Sequence, residues 1–401
     1  MARSTIWRDF GSAALWAGLT AFVWYAFGAV PLHIGVSGQL GLSIAQTSSW
    51  IFIVWFSGAV SSIVLSFYFR QPIPITWTIP GLIYLGTLAG RFSFAELVGA
   101  NLVAGVILVA FGLLGVGRRL MQWLPVPIVM GMFGGSILGY VTRMIAATVQ
   151  DLAVAGTSVA CYLIGRLLAN PRVPPVGLAV VGGGIAAAIV GTGSAAPLEW
   201  SWPAFVVPQL QFSFAAIVAV SLPMVVLAMG LGNVQGLGFL LAQGYAVPVN
   251  TVSTVVGINS VINTLLGGHP ATVARTGVAI LGGPDAGPAG GRYWATVIAA
   301  LLTIAMAFAA TPVASLLRVL PKTYVFAIAG LAIVGSLQDA LEKAFGGKLR
   351  FGALTAFAVS MTPFAIFGIT SAFWALLAGL AASLLAERRD LLASWAAGAQ
   401  A

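Results

Sequence analysis

The residues best suited to chemistry in this 401-residue chain fall in two short segments, Gln71 to Gly81 and Gly267 to Gly277. The second carries Arg275, a full positive charge in apolar surroundings, with the hydroxyls of Thr272 and Thr276 on either side; the first offers Thr76, Trp77 and Thr78. A guanidinium with clustered hydroxyls is chemistry for holding an anion. Prolines at 72, 74 and 80 lack an N–H and clash with the preceding turn, so the first segment is not one continuous helix, and Pro270 opens the second in the same way. Each segment is expected to be a short extended piece followed by a half-helix starting near Pro80 or Thr276. A helix start offers free N–H groups and a partial positive charge, which favours the same anion. The alternative for Arg275 is that it snorkels to a surface or pairs with a carbonyl for structure alone.

Other polar groups admit two readings each. Asn233 and Gln235 end an apolar run and either coordinate a substrate or cap a helix. His33, His269 and Glu96 are the candidates for carrying a proton. Against them stand a packing role for His33 and an interface position for Glu96. Asp285, Asp339 and Glu342 read as solvated loop residues. The scarcity of acids argues against a metal site and against two-carboxylate or nucleophilic hydrolysis, so neither enzyme activity nor a cofactor is expected. The glycine-rich run Gly282 to Gly291 lacks the Lys-Ser/Thr of a phosphate loop and reads as a flexible turn. The single cysteine, Cys161, excludes an internal disulfide.

These segments need a membrane to position them. The chain is 60% hydrophobic and 7% charged, far too apolar for a water-soluble surface. Its net charge of +9 is scattered singly and in pairs between apolar runs, a topology signal and not a nucleic-acid surface. Fourteen spans are expected, near 11–31, 47–69, 73–89, 94–114, 124–142, 149–168 and 174–191, then 212–231, 242–264, 269–282, 292–310, 319–337, 351–367 and 370–386. With the N-terminus inside, thirteen Lys and Arg residues (3, 8, 70, 118, 119, 166, 172, 292, 343, 348, 350, 388 and 389) fall on the cytoplasmic side and four (91, 143, 318 and 322) outside, so both termini are expected in the cytoplasm.

A shift of 196 positions lays the first half on the second. Pro74, Thr76, Gly81, Leu85 and Gly86 fall on Pro270, Thr272, Gly277, Leu281 and Gly282, and Leu124, Pro125, Gly134, Ile137 and Gly139 fall on Leu320, Pro321, Gly330, Ile333 and Gly335. Such an ungapped register is a repeat. Seven spans per unit turn the second unit upside down, giving an all-α polytopic membrane protein built as a 7+7 inverted repeat with two broken segments. That architecture belongs to secondary transporters, which bind their substrate near the midplane where broken helices meet. A membrane scaffold gives no reason for an arginine at that depth.

The chain also resembles the BenE family of benzoate/proton symporters. The likeness is carried by Gly282 to Pro288 with Arg292 to Ala295, by Leu320 to Thr323, by Ala329 to Ala332 and by Phe367 to Leu380, and Pro72 to Gly81 is similar to that family's third segment. The resemblance implies a core domain formed by 1–116 and 193–311 moving against a gate domain formed by 117–192 and 312–401, a bacterial inner-membrane location, proton coupling, and a homodimer through the gate. Two positions depart from it. Thr272 stands where the family has asparagine and Arg275 where it has a small residue, while Ala274 to Thr276 looks like the Ala-Arg-Thr of SulP sulfate permeases. Met229 replaces the glutamate of nucleobase permeases, which disfavours a nucleobase and favours an anion. The expected substrate is therefore an aromatic carboxylate such as benzoate, its carboxylate on Arg275 and the two half-helix starts and its ring on Trp77. The rival is an inorganic anion.

Overall fold

Ser43 and Ser93 each open a long apolar helix by a reciprocal cap. The Ser43 hydroxyl accepts from the Gln46 N–H at 3.2 Å while the Gln46 side chain accepts from the Ser43 N–H at 3.0 Å, and Ser93 and Glu96 repeat the arrangement. The helices they start are α2 (Ile44–Phe69) and α4 (Phe94–Leu114). Before α2 runs α1 (Ser12–Gln39), which passes through Pro31 and continues well beyond the predicted end near residue 31. The computed structural model describes residues 6–115, 125–168, 174–191 and 197–400. Arg3, Arg118, Arg119 and Arg172 of the topology argument lie outside the described residues, as does Leu124 of the repeat.

Between α2 and α4 the chain takes the expected broken form, strand β1 (Ile75–Trp77) and half-helix α3 (Ile79–Thr87). The second half repeats it with β2 (Ala271–Val273) and α10 (Arg275–Gly282). The intervening helices are α5 (Val126–Gln150), α6 (Thr157–Leu168), α7 (Pro175–Val190), α8 (Phe214–Ala242) and α9 (Val249–Thr264). After α10 come α11 (Tyr293–Phe308), α12 (Ala310–Val319), α13 (Lys322–Phe345), α14 (Arg350–Met361), α15 (Ser371–Ala386) and α16 (Arg388–Gln400). Among the described residues, seven helices are long and apolar enough to cross a membrane alone, or eight if the pair Ser371–Ala386 and Arg388–Ala396, bent by 109°, counts as one span. The other predicted spans correspond to shorter or broken helices.

The helices pack in two groups. In one, α4 lies along α9, α2 along α11 and α1 against α11. In the other, α5 lies along α13 and α14, α14 along α15, and α6 along α7. The interface between the groups includes α1 against α13 and α3 against α5.

Several predicted boundaries move. The helix α8 runs through Asn233 and Gln235, which were expected at its end, and it carries two wide π segments, Ile217–Ser221 and Leu227–Asn233. Similarly, α13 extends to Phe345, so Asp339 and Glu342 sit on a helix and not in a loop. Arg143, expected outside, lies within α5. The run Gly282 to Gly291 is not a flexible turn. It forms two 3-10 turns, and Arg292 donates to the Gly287 carbonyl at 2.7 Å and the Gly282 carbonyl at 2.9 Å.

Candidate functional site

Two short, largely buried strands meet between the broken segments. β1 and β2 pair antiparallel with Thr76 opposite Thr272, residues that are mates in the 196-residue register. Two further bonds flank the pair: the Thr78 N–H donates to the Pro270 carbonyl at 3.0 Å and the Ala274 N–H to the Pro74 carbonyl at 2.9 Å. The register exchanges these two bonds with each other, so the crossing has local two-fold character.

Extended backbone at membrane depth survives only if its polar groups find partners inside the protein. Neighbouring helices supply them. The Ile75 N–H donates to the Ser62 hydroxyl at 2.7 Å, the Ala271 N–H to the Ser260 hydroxyl at 2.9 Å, and the Val273 N–H to the Asn233 amide oxygen at 2.9 Å. Gly58 lets β1 lie close on α2, since a Cβ there would stand 3.0 Å from the Ile75 carbonyl oxygen. Asn233 therefore supports a strand. It is buried and absent from the cavity lining described below.

The two half-helix starts are unlike. The Thr78 hydroxyl caps α3 by accepting from the Gly81 N–H at 3.2 Å, and Pro80 offers no N–H. No side chain caps α10, whose N-cap residue is Ala274. The anion-binding capacity expected of both ends is thus concentrated at α10, beside Arg275.

A cavity of about 280 Å³ opens at this crossing, near the lower end of the range for small-molecule sites. One wall is Tyr25, Ala29 and Leu32 of α1 with Thr76, Trp77, Thr78, Thr272 and Arg275; the other is Pro174, which precedes α7, with Val176 of α7 and Ala332, Gly335 and Ser336 of α13. It lies between the two packing groups. Thr272 is almost fully buried, and its hydroxyl donates to the Ala228 carbonyl at 2.9 Å, inside the π segment of α8. The Thr276 side chain lies outside the described residues. Trp77 reaches the cavity edge, but its ring stacks on Trp55 at 4.9 Å and is buried, so one face is already covered.

Tyr25 was missed by sequence reasoning. Its hydroxyl is buried without a partner, and a Cβ on Gly277 would stand 1.7 Å from it, so the hydroxyl sits over the open end of α10. A single oxygen on an aromatic ring inside an apolar span gives no sequence signal. Ser336, Ser62 and Ser260 escaped notice for the same reason.

Arg275 has protein partners. Its Nη1 donates to Asp339 Oδ2 at 2.6 Å and to Gln235 Oε1 at 3.3 Å. Gln235 thus takes part in the arginine's surroundings and caps nothing.

His33 and His269 lie together behind Trp77, ring centroids 5.9 Å apart and both buried. The His33 Nδ1–H donates to the Ala29 carbonyl at 3.0 Å, while His269 Nδ1 accepts from the Trp50 indole at 2.9 Å. In neutral rings these partners leave His33 Nε2 as an acceptor without a hydrogen-bond partner and His269 Nε2–H as a donor beside the Thr78 backbone. Glu96 instead caps α4 and accepts from the Ser213 hydroxyl at 2.8 Å; it does not line the cavity. A second cavity, about 320 Å³, lies at the far end of α3 among Thr87, Arg91, Ser136, Ser360 and Thr370.

Residues 8–385 match the family of the Benzoate membrane transport protein, BenE. The chain belongs to the BenE family. It is accordingly a membrane transporter and not an enzyme. A BenE-family relative, the Benzoate membrane transport protein of Acinetobacter baylyi, is 25% identical over 382 residues, covering 94% of this chain and 96% of that one. Inner membrane protein YdcO of Escherichia coli is 25% identical over 358 residues, covering 87% and 90%. Among solved structures, the transmembrane domain of a cyanobacterial bicarbonate transporter, BicA, matches with a TM-score of 0.59 and 17% identity over 98% of both chains. At that identity the likeness concerns the fold of this BenE-family chain.

The cavity wall carries a prediction of its own. A Cβ built on Gly335 meets nothing within 4 Å, and Gly335 lines the cavity. Gly335→Leu is expected to leave thermal stability near that of the parent and to fill the cavity, lowering ligand affinity by about tenfold or more, equivalent to roughly 1.4 kcal/mol of binding free energy. Ligand-induced stabilisation of the purified variant measures it; unchanged affinity rules out this cavity as the site.

Proposed function

We propose that the chain is a secondary transporter of the bacterial inner membrane that carries an organic anion, an aromatic carboxylate such as benzoate, by proton symport. The observation that carries this reading is the cavity between the two helix groups, which pairs a cationic end with apolar walls. The carboxylate would lie against Arg275, the open start of α10 and the Tyr25 hydroxyl. The ring would lie among Leu32, Ile79, Val176 and Ala332, with the Trp77 edge beside it.

The two helix groups serve as core and gate, and the core would carry the site across by moving against the gate. The register-matched strand crossing supports a 7+7 inverted repeat, and the distribution of Lys and Arg supports cytoplasmic termini. The name of the Acinetobacter relative supports benzoate as substrate, and the apolar walls agree with it. The Ala274 to Thr276 sequence supports the second reading, an inorganic anion. Uptake of labelled benzoate into proteoliposomes under an imposed proton gradient, with sulfate, bicarbonate and chloride as competitors, separates them. Competition by bicarbonate or sulfate at concentrations comparable to benzoate would reverse the assignment.

For proton coupling, the geometry favours His33 as acceptor and His269 as its neighbouring donor. His33→Gln is expected to reduce gradient-driven benzoate accumulation to background while benzoate counterflow continues, because exchange needs no net proton movement. If accumulation survives in both His33→Gln and His269→Gln, the histidine pair is not the proton path.

A further inference from the structure

The group that faces Arg275 is itself a carboxylate. Asp339 holds Arg275 through Oδ2 at 2.6 Å and Lys343 through Oδ1 at 2.8 Å, and the Gln235 amide oxygen accepts from both cations, at 3.3 Å and 3.1 Å. Arg275 stands on α10, Gln235 on α8, and Asp339 and Lys343 on α13. The cluster therefore bridges the two helix groups. It borders the cavity, since Arg275 lines it and Ser336, one turn before Asp339 on the same helix face, lines it too.

The cluster is one-sided. In the 196-residue register the mates of Arg275, Asp339 and Lys343 are Ile79, Arg143 and Ala147, which cannot form the same network. Gln39, the mate of Gln235, accepts from the Tyr140 hydroxyl at 3.3 Å instead. Only the second half carries this network.

We infer that Asp339 competes with a substrate carboxylate for Arg275, and that it thereby sets both affinity and the charge class admitted. This rests on the reading of Arg275 as the anion-binding residue. The charges support it. Arg275, Lys343 and Asp339 sum to +1. When a monoanion displaces Asp339 from Arg275, Asp339 keeps Lys343 and the four charges sum to zero. A dianion would leave the cluster at −1 with two carboxylates competing for one arginine. The site is built for monoanionic carboxylates, and Asp339 is the residue that excludes dianions. Until an anion arrives, the same ion pair ties α10 to α13.

The test is isothermal titration of the purified full-length protein with benzoate and with phthalate, a dianion on the same ring. Asp339→Asn raises the cluster to +2 and is expected to tighten benzoate binding about five- to tenfold and to admit phthalate, a modest factor because the pair is partly solvated. Lys343→Met lowers the cluster to zero and should weaken benzoate by a similar factor, and Asp339→Glu should keep wild-type selectivity. Because the two charge changes act in opposite directions, a general loss of folding cannot imitate the pattern. Unchanged benzoate affinity in Asp339→Asn with phthalate still excluded would overturn the inference, as would equal effects of both single variants. If Asp339→Asn does not fold, unchanged affinity in Lys343→Met overturns it alone. Wild-type benzoate affinity in Arg275→Ala would instead overturn the anion site on which it rests.

Discussion

Arg275→Ala is expected to abolish benzoate uptake while leaving a folded protein. Charge-assisted hydrogen bonds contribute roughly 1.5–3 kcal/mol each, so losing the arginine should weaken binding about 10- to 150-fold. The loss in transport should be larger, because Asp339 then lacks a partner on α10 and the substrate no longer competes for anything. The fold survives for a visible reason: Asp339 and Arg275 are each about 30% exposed, and Asp339 retains Lys343 at 2.8 Å. Arg275→Lys keeps the charge but not the planar fork, and should recover part of the affinity and little of the selectivity. Proteoliposome uptake and ligand-induced thermal stabilisation measure both variants. Wild-type uptake by Arg275→Ala would sink the anion site.

How much of this site could be read in the sequence follows from what each residue depends on. The broken segments were legible because proline acts locally: Pro74 and Pro80 forbid a continuous helix wherever the rest of the chain goes. The register laid Thr76 on Thr272, and the structure pairs those two residues across β1 and β2, a contact the register alone did not state. Asp339 was not legible. The α13 sequence turns polar after Ser336, and hydropathy does not distinguish the polar end of a helix from a loop, so an acid that faces Arg275 looked solvated. Asn233 was misread for a related reason, because α8 continues past it through a π segment that turns its amide onto β2. The burial of Trp77 under Trp55 depends on α2 lying across β1, which no local pattern encodes. The unequal capping of α3 and α10 was available in principle: Thr78 and Pro80 close one end, while their mates Ala274 and Thr276 leave the other without a cap.

The strand crossing depends in turn on a helix contact remote from the cavity, which gives the second large expectation. Where α4 and α9 cross, a Cβ on Gly257 would stand 2.3 Å from the Val109 backbone nitrogen, and one on Gly112 would stand 2.4 Å from the Thr254 backbone nitrogen. Backbone cannot rotate away as a side-chain tip does, so any residue larger than glycine forces the helices apart. Small residues permit this close approach, which drives helix association in lipid. Gly257→Ala should cost about 1–3 kcal/mol and lower the thermal midpoint by roughly 2–10 °C. Gly257→Leu should yield no folded, monodisperse protein. Ser260, one turn beyond Gly257, accepts the Ala271 N–H, and Asn263 donates to the His269 carbonyl at 2.9 Å. A displaced α9 therefore pulls β2 with it, so Gly257→Ala should also weaken benzoate binding, although Gly257 lines no part of the cavity. Gly139→Ala is the matched control, because a Cβ there meets nothing within 4 Å. If Gly257→Ala is as stable as Gly139→Ala, the α4–α9 contact is looser than described and does not hold the strand in place.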